Sequence, residues 1–168
     1  MTTMFEPMLD EFREEAAVTK RVLERVPADK LAWKPHAKSM SLGQLAMHIA
    51  TVPGSLTKIT WEDEFEFSQA NFNPPLPKDV KEIHAAFEQS VREVEECLKR
   101  MTEQLAQGHW RLMFRGKEIS SKPRIRVLRS IMLNHWYHHR GQLSVYLRLL
   151  DIPVPVIYGP SADESPFG

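Results

Sequence analysis

The stretch Asn134-His135-Trp136-Tyr137-His138-His139-Arg140-Gly141-Gln142 decides how this chain is read. It crowds three of the seven histidines into little more than one helical turn, inside a segment that otherwise has an apolar, helix-forming pattern. His135 and His139 are one turn apart, so on a helix their side chains lie above one another on one face. Ile131, Gln142 or Leu143, and Tyr146 continue that face, which is expected to be the buried side. Two inward imidazoles at this spacing can hold one metal ion.

Working outward, the helix carrying these residues is expected from about Pro123 to Leu150, ending before Pro153 and Pro155. Three further long helices precede it. The first, over residues 4–26, repeats Phe5, Met8, Phe12, Ala16, Thr19, Leu23 and Val26 at helical spacing and stops at Pro27. The second opens with Ser41 and Gln44, a capping box. Its stripe runs through Leu42, Leu45, Ile49, Val52, Leu56 and Ile59, and Pro53 is expected to bend it. The third starts near Asp79, with Glu82 as capping partner, and carries Ile83, Phe87, Val91, Val94, Leu98, Met101 and Leu105.

Four such amphipathic helices must bury their stripes against one another, which predicts an all-α, four-helix bundle in one domain, residues 1–168. The connections 27–40, 60–77 and 108–121 exceed the short loops of simple bundles. Long crossover loops of this kind can rim one end and shape a pocket. Residues 62–77 read as an ordered loop. Trp110, Leu112 and Phe114 alternate before Arg115-Gly116, so a short hairpin is expected ahead of the last helix. The tail from about 159 lacks periodicity.

Lys plus Arg balance Asp plus Glu at 22 each, so no global field draws the chain to nucleic acid or to membranes. The basic run Lys122, Arg124, Arg126 and Arg129 is interrupted by Ile125, Val127 and Leu128, the pattern of a helix with one wet face. No apolar run approaches the roughly 20 residues needed to span a bilayer. No export-type leader is evident, and Cys97 is the single cysteine, so a reducing, cytoplasmic setting is expected.

His48, one turn after Gln44, lies on or beside the inward stripe of the second helix. With His135 and His139 it completes three imidazoles from two helices. Zinc, nickel, iron and cobalt all accept imidazole nitrogen. Three protein ligands leave a position open for water or substrate, and the retained charge lowers the pKa of bound water. The opposing account makes these histidines hydrogen-bonded packing residues. The pair also lacks the glutamate of an H-E-x-x-H metalloprotease, because Trp136 and Tyr137 stand between.

Leu42-Gly43-Gln44-Leu45-Ala46-Met47-His48-Ile49-Ala50 and His135-Trp136-Tyr137-His138-His139-Arg140-Gly141-Gln142-Leu143 together resemble the DinB-like (DinB/YfiT) superfamily of metal-binding four-helix proteins. Trp33-Lys34-Pro35 and Tyr158-Gly159-Pro160-Ser161 extend the resemblance over nearly the whole chain. It implies an up-down-down-up bundle and a divalent metal, nickel or zinc, on His48, His135 and His139. It also implies a homodimer. Characterised branches of the family include transferases and isomerases that use low-molecular-weight thiols.

Neighbouring residues offer supporting roles. His138 can replace either partner as ligand or sit at the pocket edge, and ranks below His139 on the family motif. Arg140 can pair with an acidic group of another helix or bind a substrate carboxylate. Gln142 and Tyr146 can orient a ligand or line the pocket, and Gly141 can permit close helix approach. Trp61, Phe65, Phe67 and Phe72 can line an apolar substrate cavity. Cys97 reads as a small buried hydrophobe. Glu62, Asp63 and Glu64 are loop acids with no assigned role.

Three functions are compatible with these residues. One is a metal-dependent enzyme acting on a small molecule, either a hydrolase using activated water or a transferase using an exogenous thiol. The others are a non-catalytic metal-binding or stress-response protein and a dimeric structural protein.

Overall fold

The computed structural model describes residues 5–71, 73–165 and 167. Its helices begin with α1 (Glu6–Leu23), α2 (Leu42–Ile59), α3 (Val80–Arg100) and the short α4 (Glu103–Gln107). After a hairpin come α5 (Arg124–Val127), a π-helical turn (Leu128–Leu133) and α6 (Asn134–Leu149). Helical backbone angles continue through both junctions, so Arg124 to Leu149 is one rod with a widened turn inside it. The four long elements close a ring in which α1 packs on α3 and α6, and α2 packs on α3 and α6. Phe12, Leu45, Ile49, Val94, Leu98, Leu133 and Trp136 meet in its core.

Local chemistry accounts for the starts and stops. The Ser41 hydroxyl accepts from Gln44 N at 3.2 Å while Gln44 Oε1 accepts from Ser41 N at 3.0 Å, closing the expected box on α2. Asp79 caps α3 by accepting from Glu82 N at 2.9 Å, but the Glu82 carboxylate reaches Lys78 N, not the Asp79 amide. The third helix stops at Arg100, short of the expected Leu105. Met101 turns extended, and Thr102 caps the new helix α4 by accepting from Leu105 N.

A second departure is a three-stranded sheet, so the chain is not a pure four-helix bundle and not all-α. The expected hairpin is present as β2 (His109–Phe114) and β3 (Lys117–Pro123), antiparallel, with an irregularity between Leu112 and Met113. Arg115 and Gly116 both take positive φ, 51° and 74°, the left-handed pair that a tight hairpin needs. The expected loop 62–77 contains β1 (Glu64–Glu66), which adds to β2 in parallel with Phe65 opposite Leu112. Three residues are too few for a period-two signal, and a parallel partner 47 positions away is a non-local pairing.

Arg124 joins the sheet to the bundle. It is buried, and its guanidinium donates to the Thr60 and Glu62 carbonyls at 3.0 and 3.1 Å and to Asp63 Oδ1 at 2.5 Å. A cation thus satisfies carbonyls just beyond α2, where the helix dipole favours it. Of the basic run read as a wet face, Arg124 is therefore an interior tie. Trp110 adds a parallel link, its indole N–H donating to the Ile59 carbonyl at 3.2 Å. Among the described residues the tail, as expected, has no helix or strand; Asp163 pairs with Arg148, and Glu164 with Arg21 and Arg25.

Candidate metal centre

The π-helical turn sets which residues of α6 face the core. A π turn holds more residues than an α turn, so it advances the buried stripe around the rod. The fully buried positions from the π-helical turn onward are Leu128, Met132, Leu133, Trp136, Arg140, Leu143 and Leu147. Of the residues expected on the buried face, Leu143 is buried, while Ile131, His135, His139, Gln142 and Tyr146 form a half-buried stripe beside it. That stripe meets α2 at His48.

A hydrogen bond next door fixes the approach of the two helices. Pro53 has no N–H, so the Ile49 carbonyl one turn earlier loses its helical donor. Trp136 fills the gap, its indole N–H donating to the Ile49 oxygen at 2.9 Å. Ile49 follows His48 and Trp136 follows His135, so this bond registers the two histidines against each other. α2 runs on through Pro53 as one helix.

His48 Nε2 stands 3.1 Å from His135 Nε2, and His139 Nε2 stands 3.0 Å from the same atom. One nitrogen from each ring lies within 4.8 Å of the other two. Metal–imidazole bonds of about 2.0–2.1 Å place two ligand nitrogens about 3.3 Å apart at tetrahedral angles and about 2.9 Å apart at right angles. The two separations at His135 fall between these, and the third ring nitrogen is close enough to make the cluster a candidate site for one ion. Burial chiefly, aided by repulsion from the neighbouring rings, holds His48 at about 4. Burial likewise holds His139 at about 4, against the opposing hydrogen bond to Gln142, and lowers His135. All three are therefore neutral at pH 7, the form that ligates metal.

Gln142 holds the third ring. Its Oε1 lies 2.7 Å from His139 Nδ1, which donates to it and leaves Nε2 facing the cluster. The other expected helpers go elsewhere. His138 is exposed, beside His139 but turned from the cluster. Arg140 faces α1 and not the pocket: its Nη2 meets Glu15 Oε2 and the Tyr158 hydroxyl at 2.5 Å each, and Nη1 donates to Thr19 Oγ1 at 3.1 Å. Tyr146 donates to the Met40 carbonyl at 3.3 Å and packs edge-on against Trp33. Gly141 has open space where a Cβ would stand, so it mediates no helix approach.

The cluster borders a cavity of about 730 Å³ lined by His48 and His135, by α2 as far as Thr60, and by Val127, Ile131 and Met132. Phe65, Phe67, Trp110, Leu112, Ala70, Asn71 and the 73–75 segment complete it, and Gln44 Nε2 ties that segment to α2 through the Pro74 carbonyl. Phe65 and Phe67 thus line the cavity as expected. Trp61 packs instead beneath the Arg100 guanidinium, and Phe72 lies outside the described residues. The α2 wall was available as the continuation of the His48 stripe one, two and three turns on. The sheet wall was not, since it depends on the parallel pairing of β1.

Among the described residues no Asp or Glu lines the cavity. Asp63 pairs with Arg124 and Glu64 with Arg111. Cys97 is buried elsewhere, and its thiol is pushed up to about 11 by burial.

The DinB family model matches residues 1–166. The chain belongs to the DinB family. It is 26% identical over 151 residues to the uncharacterized protein YrdA of Bacillus subtilis, covering 89% of this chain and 85% of that one. A crystal structure of a DinB-like protein from Bacillus cereus superposes with a TM-score of 0.72 at 25% identity, over 94% of this chain and all of that one. The DinB-like protein YjoA from Bacillus subtilis gives 0.69 at 21% identity, over 90% and 97% of the two chains. No described helix in this family member is long and apolar enough to cross a membrane.

Proposed function

We propose that this DinB-family chain is a divalent-metal-dependent enzyme acting on a small molecule, with His48, His135 and His139 as the ligands and nickel or zinc as the ion. The observation that carries this reading is three neutral imidazoles converging on one another, two of which, His48 and His135, line a large cavity. An ion held there supplies Lewis acidity and lowers the pKa of a water or thiol that joins it.

The chain's own residues then have defined work. His48 and His135 present their Nε2 atoms from opposite walls, and Gln142 fixes the tautomer of His139. The walls beside the histidines are largely apolar. With no carboxylate lining the cavity among the described residues, the side chains offer no strong general base, and proton loss from a nucleophile would depend on the Lewis acidity of an ion held by the three histidines. Cys97 does not supply that nucleophile, since its thiol is buried outside the lining. The nucleophile is therefore water, for hydrolysis, or an exogenous low-molecular-weight thiol, for transfer.

Metal analysis of the purified chain should find one ion per protein, lost in His48→Ala and His139→Ala while circular dichroism stays helical. The reloaded wild type should turn over either an ester or a thiol plus an electrophile. Unchanged metal content in both variants would sink the ligand assignment. The lack of an acidic group at the cavity also supports a second reading, a non-catalytic metal-binding module, which predicts full loading with no turnover in either assay.

A further inference from the structure

The cavity says more about its occupant than that it is small. His48 faces His135 at one end, and at the other Trp110 bonds the Ile59 carbonyl and Arg124 the Thr60 carbonyl. The two long walls therefore run antiparallel between the histidines and the sheet. From His48 to Ile59 is eleven residues, about 16 Å of α-helix, and the facing wall from His135 back to Val127 is eight residues that include the π-helical turn. The space between is a slot, not a sphere.

Its polarity is as uneven as its shape. Among the described residues no Lys, Arg, Asp or Glu lines it. The nearest loop charges are engaged with one another or with backbone, as Asp63 is with Arg124, Glu64 with Arg111, and Glu66 with the hairpin turn. The Thr51 hydroxyl on the wall donates to the Met47 carbonyl at 2.9 Å. An ionic group drawn along this slot would lose its water and gain no counter-charge.

We propose that the substrate is an uncharged, elongated molecule whose apolar body fills the slot along α2 and whose one polar, reacting end lies at His48 and His135. This rests on the metal-centre reading above for the chemistry at that end. The slot itself selects by length and by absence of charge.

The test uses the full chain, both zinc-loaded and chelator-treated, with displacement of the uncharged fluorophore N-phenyl-1-naphthylamine. Straight-chain primary alcohols from hexanol to decanol should tighten by about fourfold per methylene in both forms. In the chelated form, carboxylates of equal length should bind about tenfold more weakly or worse. Ile131→Trp, and independently Ser55→Trp, should shorten the chain length at which affinity stops rising, with helical content unchanged. A flat series, or carboxylates preferred by the chelated protein, would overturn the proposal. A steep series in a chain that takes up no zinc would instead remove the metal reading and leave the slot.

Discussion

Two adjacent stripes of α6 show what burial does to polar groups. The stripe of Trp136 and Arg140 is fully buried, and its polar atoms have fixed protein partners: Ile49 for the indole, and Glu15, Thr19 and Tyr158 for the guanidinium. The stripe of His135 and His139 is only half-buried, and its facing nitrogens meet chiefly one another. The first stripe holds helices together because its hydrogen-bonding capacity is used up within the fold. The second keeps donor atoms in reserve and loses the protons that would block them. The tied side chains and the candidate ligands are thus separated by about 100° of rotation on one helix.

The contrast can be broken most forcefully at Arg140. Replacing it with Met should cost about 3–5 kcal/mol in urea denaturation, since Glu15 would keep a largely buried charge without its partner. Metal stoichiometry should stay that of wild type. If Arg140→Met instead lost the ion with its stability intact, the two stripes would have exchanged roles.

Trp136 sharpens the comparison. Trp136→Phe should cost about 1–3 kcal/mol, because the Ile49 carbonyl would be buried without a donor. Pro53→Ala provides the rescue, since an alanine N–H can donate to that carbonyl in the ordinary helical way. The double variant should therefore lose less than the sum of the singles, and strict additivity in the four-member cycle would show that the bond is not shared as described.

Gln142 belongs to the histidine stripe, so its effect should be the mirror image. Gln142→Leu should weaken metal affinity by about 10–100-fold while denaturation midpoints barely move. Competition with a chelating dye would measure it. An unchanged affinity would mean that the His139 ring is held by packing alone.

The same contrast explains what could be read from the residues in advance. The His135–His139 pairing and the Ser41–Gln44 cap follow from local spacing, the choice of His48, His135 and His139 over His138 rests on the family resemblance, and the turn at Arg115-Gly116 follows from its own chemistry. Gln142 was a candidate, but its assignment needed the His139 rotamer. The π-helical turn could not be read, because it shifts the stripe by packing on α2 and leaves no mark in composition. Arg124 looked like a surface cation among Lys122, Arg126 and Arg129, since its burial depends on carbonyls some 60 positions away. Pro53 was expected to bend α2. That it also frees the Ile49 oxygen for Trp136 shows only once the two helices meet. β1 was missed because its partner, not its own three residues, makes it a strand.

The smallest effect lies at the cavity rim, where a carboxylate is fully engaged without being buried. Glu66 accepts from the backbone N–H groups of Arg115 and Gly116 at 2.9 Å each, and from Ser68 through both its hydroxyl and its amide. The Ser68 hydroxyl first, then the backbone donors, hold the carboxyl at about 2, below its ordinary 4.5. A depressed carboxyl contributes stability that is complete above its unfolded value and is lost as pH falls through its folded one. Acidification from 4.5 to 2 should therefore loosen the hairpin turn from the strand β1. The amide resonances of Arg115 and Gly116 should titrate with a midpoint near 2 in wild type, and lose that titration in Glu66→Gln. A wild-type midpoint at 4.5 would mean that the latch is open in solution, and that rim contacts follow solvent as freely as exposure alone would suggest.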